Sequence, residues 1–115
     1  MRIFEVKNRT IELINELLEV WKDSVKATHT FLSNEEIKNI KKYVPQALKS
    51  VLHLIIIENK NNTPIAFMGI ENKKLEMLFI KNIERGKGLG KQLLKYGIEN
   101  YNVNKLVVNE QNPNA

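Results

Sequence analysis

Three glycines at alternate positions, Gly86, Gly88 and Gly90, separate a strand-like run, Leu75 to Ile80, from a helix-like run, Gln92 to Asn100. A chain that passes from strand to helix through Glu84-Arg85-Gly86-Lys87-Gly88-Leu89-Gly90-Lys91 is held to an α/β arrangement with a turn poor in side-chain bulk. Several N–H groups of such a turn can approach one ligand closely. The same groups open a helix, whose positive dipole end favours an anion. Arg85, Lys87 and Lys91 add charge around that point. The stretch reads as a cradle for a pyrophosphate. A glycine-rich turn that merely caps a helix is the plainer alternative.

The glycine spacing separates this loop from two others. A P-loop needs glycines five positions apart followed by Lys and then Ser or Thr. Here Gly86 and Gly90 are closer than that, and Gln92 follows Lys91, so no hydroxyl is offered to magnesium. A dinucleotide fingerprint needs Gly-x-Gly-x-x-Gly after an early strand; these glycines are one residue too tight and come late in the chain. The pattern that does fit is Arg-x-x-Gly-x-Gly, read from Arg85, Gly88 and Gly90. It resembles the acyl-CoA loop of the GNAT superfamily of N-acetyltransferases, bacterial branch. Leu78-Phe79-Ile80 stands where that family ends the strand before its loop, and Leu93-Leu94 where its next helix begins. Val103 to Val108, followed by Asn109-Glu110-Gln111-Asn112, is similar to its next strand and Asn-rich segment. Trp21 to Leu32, with Ala27-Thr28-His29-Thr30-Phe31-Leu32, also looks like that branch, so the resemblance covers nearly the whole chain.

Elsewhere the residues point to an ordinary folded domain. A length of 115 residues suits one domain with one core. Hydrophobic content of 43 % and charged content of 27 % are usual for such a protein. No apolar run approaches the ~20 residues of a membrane span. Met1-Arg2-Ile3-Phe4-Glu5-Val6 is a strand pattern and not a signal peptide. Without cysteine there is no disulfide, thiolate zinc site or cysteine nucleophile, and the cytoplasm is the default location. The net charge of +5 invites a nucleic-acid partner, but the lysines run from Lys7 to Lys105 with no basic stripe interleaved with aromatics. A basic surface equally suits coenzyme A. No Ser-His-acid set or metal-ligand spacing is visible.

Along the chain, Thr10 is a candidate N-cap, with Ile11, Ile14, Leu17, Leu18, Trp21 and Val25 at helical spacing. Ser33 and Glu36 carry the capping-box signature of a second helix, with Ile37, Ile40 and Val44 as its apolar side. Pro45 kinks or restarts it. Leu52 to Glu58, Ile65 to Glu71 and Lys74 to Ile80 read as three antiparallel strands, the last two joined by Asn72-Lys73.

The resemblance implies an α/β fold: a GNAT-like mixed, mainly antiparallel sheet flanked by helices, residues 1–115 forming one domain. It implies an acetyl-CoA-dependent N-acetyltransferase acting on a primary amine of a small molecule or protein, without a metal. The pantetheine arm would bond to main chain at Leu78, Phe79 and Ile80, and the pyrophosphate to Arg85, Gly86, Lys87, Gly88, Leu89, Gly90 and Lys91. Asn109 and Asn112 match positions whose side chains hydrogen-bond the cofactor, Asn112 the better. Glu76 and His29 are the candidates for the base. Each has a plainer role, Glu76 as a solvent-facing strand residue paired with a lysine and His29 as a capping or packing residue. The family continues with a further helix and strands, which carry a tyrosine that protonates the leaving thiolate. A chain lacking them is expected to be C-terminally truncated, to self-associate as a homodimer through the edge of its last strand or to be of low stability, and to turn over weakly or not at all. A catalytically silent CoA-binding or interaction protein is the competing reading.

Overall fold

The computed structural model describes residues 1–28 and 33–106. Strand β1 (Arg2–Glu5) leads into the long helix α1 (Ile11–Thr28). Thr10 caps that helix: its Oγ1 accepts from the N–H of Leu13 at 3.1 Å and its carbonyl from Ile14 at 2.9 Å. The first of these satisfies an amide that a helix start leaves over, and the second is the first bond of the helix itself. Ile14, Leu17, Leu18, Trp21 and Val25 are buried, as their spacing requires. Ile11, expected with them, is 71 % exposed, because it sits in the first turn, outside the cluster the later residues build.

Helix α2 (Asn34–Lys41) begins on the capping box. The Ser33 N–H donates to Glu36 Oε1 at 3.2 Å, and the Glu36 N–H donates to Ser33 Oγ at 3.1 Å. Pro45 then lies in the first turn of a separate helix, α3 (Val44–Ser50), where its missing N–H costs nothing. Of the expected apolar side, Ile37 is buried and Ile40 is 42 % exposed, since the short α2 meets its neighbours on a narrow line. Arg9 ties the start of α1 to the end of α3. Its guanidinium donates to the carbonyls of Leu48 and Lys49 at 3.0 Å and of Leu52 at 3.1 Å. A cation is well placed at the negative end of a helix.

Among the described residues, β2 (His53–Glu58), β3 (Pro64–Glu71), β4 (Lys74–Ile80) and β5 (Lys105–Leu106) complete one sheet of order β1-β2-β3-β4-β5. The first four strands are antiparallel, and β5 runs parallel to β4. The parallel step needs a crossover, which helix α4 (Leu89–Tyr101) provides. Asn72 and Lys73 both have positive φ, 52° and 62°, the two-residue hairpin geometry whose twist matches the strands. The fold is thus the expected mixed, mainly antiparallel sheet with flanking helices.

Strands β2 and β3 are apolar at nearly every position because both faces are covered. Leu54, Ile56 and Phe67 join α1, α2 and α3 in one cluster. Ile55, Ile57, Met68 and Ile70 join α4 in the other. One irregularity interrupts this alternation. Gly69 opposes Met77 while Ile70 opposes Leu75, so Glu76 is an extra residue on β4, a β-bulge. Leu75 and Met77, two apart, would share a face in a regular strand. Here Leu75 packs with α4 and Met77 with the α1 side.

Candidate active site

The site is built around β4 and the turn that leaves it. The Lys81 N–H donates to the Ile65 carbonyl at 3.0 Å, and a single 3-10 turn, Asn82–Glu84, follows. Asp23 Oδ2, on α1, accepts from the Asn82 N–H at 2.7 Å. Gly86 and Gly88 then adopt positive φ, 79° and 78°, where an L side chain is strained although no atom would meet its Cβ within 4 Å. Helix α4 starts at Leu89, three residues earlier than its apolar pattern suggests, because buried Leu89 anchors the turn in the core. Leu89, Gly90 and Lys91 therefore form the first turn of a helix.

The consequence is a run of free donors. The first N–H to return to the chain is that of Gln92, which donates to the Gly88 carbonyl at 3.0 Å. The N–H groups of Gly86, Lys87, Gly88, Leu89, Gly90 and Lys91 meet no acceptor among the described residues. Gly88, as N-cap, has no side chain to offer one. Six consecutive donors at the positive end of a helix are what an anionic diphosphate requires.

The three cations of the loop differ in their engagements. Arg85 turns towards α1, where its guanidinium donates to Ser24 Oγ at 3.2 Å and to the Ser24 carbonyl at 3.5 Å. Lys87 pairs with Glu84 at 2.8 Å. Lys91 has no ion pair among the described residues and stands exposed in the first turn of α4. Arg85 and Asp23 together clamp the turn onto α1, which sequence reading did not foresee.

Leu78 and Ile80 pack towards α4, and Phe79 packs towards the other face, its ring 5.5 Å from that of Phe67. Strand β5 pairs with β4 only at Lys74 and Leu75 among the described residues. The outer edge of Glu76 to Ile80 accordingly has main-chain groups without a described strand partner. Glu76, on the bulge, lines a shallow cavity of about 210 Å³ with Glu71, Met77, the α3 residues Ala47 and Ser50, and the C-cap Val51. Its carboxylate lies 3.7 Å from Lys74 Nζ, with a third of the side chain exposed. His29, Asn109, Asn112 and the edge residues Val107 and Val108 lie outside the described residues.

Sequence reading missed one polar cluster. Tyr101, at the end of α4, donates its hydroxyl to Glu5 Oε1 at 2.6 Å. His53 Nδ1 lies 2.9 Å from Glu5 Oε2, and the His53 and Tyr101 rings are 4.3 Å apart. Burial alone would raise the Glu5 carboxyl; the Tyr101 and His53 hydrogen bonds, with the charges of His53 and Lys7, outweigh it and hold the group below its usual range. Burial, then the Glu5 carboxylate, pushes the Tyr101 phenol well above its ordinary value. These residues belong to β1, β2 and the far end of α4, about 20 Å along that helix from Gly88. Nothing local in the sequence announces them. Among the described residues no cluster of His, Asp or Glu could hold a metal, and no helix is long and apolar enough to cross a membrane.

A family model for the acetyltransferase (GNAT) domain matches residues 20–115. This chain belongs to the GNAT family. The peptidyl-lysine N-acetyltransferase YjaB of Salmonella typhimurium is 31 % identical over 99 residues, 86 % of this chain and 68 % of that protein. The solution structure of apo YjaB from Escherichia coli superposes with a TM-score of 0.81 at 32 % identity, covering 97 % of this chain and 75 % of the other. The PaiA N-acetyltransferase of Thermoplasma acidophilum, crystallised with coenzyme A, gives 0.70 at 25 % identity over 98 % and 83 % of the two chains. This GNAT chain is an acetyl-CoA-dependent N-acetyltransferase. The glycine loop and the opening of α4 suit the anionic part of that cosubstrate.

Proposed function

We propose that this enzyme acetylates the side-chain amine of lysine residues in proteins. The cytoplasm is its proposed setting, which the lack of any cysteine suits. Two curated relatives, from Salmonella typhimurium and Escherichia coli, are named peptidyl-lysine N-acetyltransferases and are 31 % and 30 % identical to it. The observation that carries the reading is the layout of β4. Six N–H groups with no acceptor among the described residues follow its end, and Glu76, on the bulge, lines a cavity near its start. Four residues separate Glu76 from Ile80, about 13 Å of strand. The pyrophosphate would bind at the six donors and the pantetheine arm along the outer edge of Leu78, Phe79 and Ile80, as an added strand does.

The chemistry follows from that layout. Glu71 and Glu76 in one cavity attract a protonated lysine. The ammonium sheds one proton to solvent before its nitrogen attacks the thioester carbonyl, and Glu76 accepts the second, directly or through one water, as the amide forms. The new C–N bond forms as the C–S bond breaks, and the departing thiolate takes a proton from solvent. Tyr101 does not serve as that donor, being committed to Glu5. Arg85 positions the loop through Ser24.

Release of free thiol, measured with acetyl-CoA and a panel of lysine peptides and small amines, tests the reading. Lysine peptides should be the better acceptors. Glu76→Gln should lower kcat about 100-fold while leaving the KM for acetyl-CoA unchanged. Turnover of small amines with none on peptides would overturn the acceptor class.

A further inference from the structure

Lysines that look dispersed in the sequence converge in the fold. Lys22 and Lys26, one turn apart on α1, face Lys38, Lys41 and Lys42 of α2 and its C-cap across a groove of about 600 Å³. Glu35 is the single carboxylate among the lining residues. None of the five lysines has an ion pair among the described residues. Glu36, the other acid in the first turn of α2, is occupied by Ser33 and is not part of the groove.

Like charges one helical turn apart repel, so the folded chain holds a positive field that a bound anion relieves. The groove is also on the helix that holds the cofactor turn. The residues of α1 that follow Lys22, namely Asp23 and Ser24, contact Asn82 and Arg85 of the cofactor turn.

We propose that this groove docks an acidic stretch of the protein substrate, a run of Asp and Glu near the acceptor lysine. The inference rests on the protein-acceptor reading above and adds a sequence preference to it. Among the described residues no aromatic side chain lines the groove to stack a base. A volume of about 600 Å³ holds a few side chains of an extended peptide. An acidic peptide is therefore the favoured occupant.

Fluorescence anisotropy without acetyl-CoA tests docking apart from turnover. The probes are a labelled peptide with Glu and Asp around one lysine, its Gln and Asn twin, and a single-stranded oligonucleotide. The acidic peptide should bind about tenfold more tightly than its twin at low ionic strength, and lose that advantage in high salt. Lys38→Glu/Lys42→Glu should abolish the advantage, and the milder Lys38→Gln/Lys42→Gln should reduce it, with the far-UV spectrum retained in both. In turnover, the charge reversal should raise the KM for the acidic peptide about tenfold and leave the KM for acetyl-CoA unchanged. Equal binding of the two peptides, insensitivity to the reversal, or tighter binding of the oligonucleotide would overturn the proposal. Docked peptides that are never acetylated would instead refute the lysine-acceptor reading and leave the groove standing.

Discussion

At Gly88 a single backbone angle decides both the turn and the site. Its φ of 78° is left-handed, so Gly88→Val must cost about 1–2 kcal/mol or rotate the amides that follow. Calorimetric titration should show most of the CoA affinity lost in that variant, with little change in helix content. Gly90 is different: a Cβ there would touch Ile80 Cδ1 at 3.4 Å, an ordinary contact. Gly90→Ala should therefore keep wild-type stability, and a large loss would show that the helix start is misjudged. Tyr101 makes a second residue-scale case. Tyr101→Phe removes the shortest bond to Glu5, worth about 1.5–3 kcal/mol for a charged acceptor. The Glu5 carboxyl is lowered in the folded state, so its contribution is present above the unfolded pKa of 4.5 and fades as pH falls through the lowered value. Denaturant midpoints of the two proteins should accordingly differ at pH 7 and converge in acid. A gap that stays constant with pH would show that packing, not the carboxylate, sets the effect.

Each element is held by chemistry at its ends and by close approach in its middle. Thr10, the Ser33–Glu36 box and the Asn72-Lys73 hairpin are all legible in sequence, because a cap or a two-residue turn depends on residues at most four apart. Gly97, in the middle of α4, was not singled out. A Cβ there would meet Ile70 Cδ1 and Val103 Cγ2, both at 3.1 Å, so the helix lies against β3 at this point. A larger side chain gains helix propensity, about 1 kcal/mol over glycine, but must displace both neighbours. Gly97→Leu should be destabilised by about 1–3 kcal/mol net of that gain, read as a fall in Tm. An unchanged Tm would mean that α4 can move away from the sheet freely. The bulge on β4 is equally an element-scale feature. It sends Met77 to one face and Leu75 to the other, and leaves Glu76 without a register partner on β3.

For the molecule as a whole, ligand choice reports on the site. A ligand that binds only the folded state stabilises it by about 2.7 kcal/mol at a hundredfold excess over its Kd. Coenzyme A should therefore raise Tm by several degrees, whereas ATP at the same concentration should not, with or without magnesium. The reason is local: Gln92 follows Lys91 where a magnesium-binding loop carries Ser or Thr. A magnesium-dependent shift with ATP would contradict the loop's assignment.

By itself the sequence determined what short-range rules can reach. Alternating glycines between a strand pattern and a helix pattern specified the turn, the capping residues specified helix starts, and apolar runs specified strands. Tertiary structure decided the rest. The slip that frees Glu76 depends on which residue of β3 each residue of β4 meets. The direction of Arg85 depends on a serine 61 residues away, and the Glu5–Tyr101 bond spans 96. Five lysines counted as scattered charge became one groove only when α1 and α2 packed side by side. Periodicity and capping act within about one helical turn, whereas these contacts exist only once burial of the two apolar clusters has set the elements against each other.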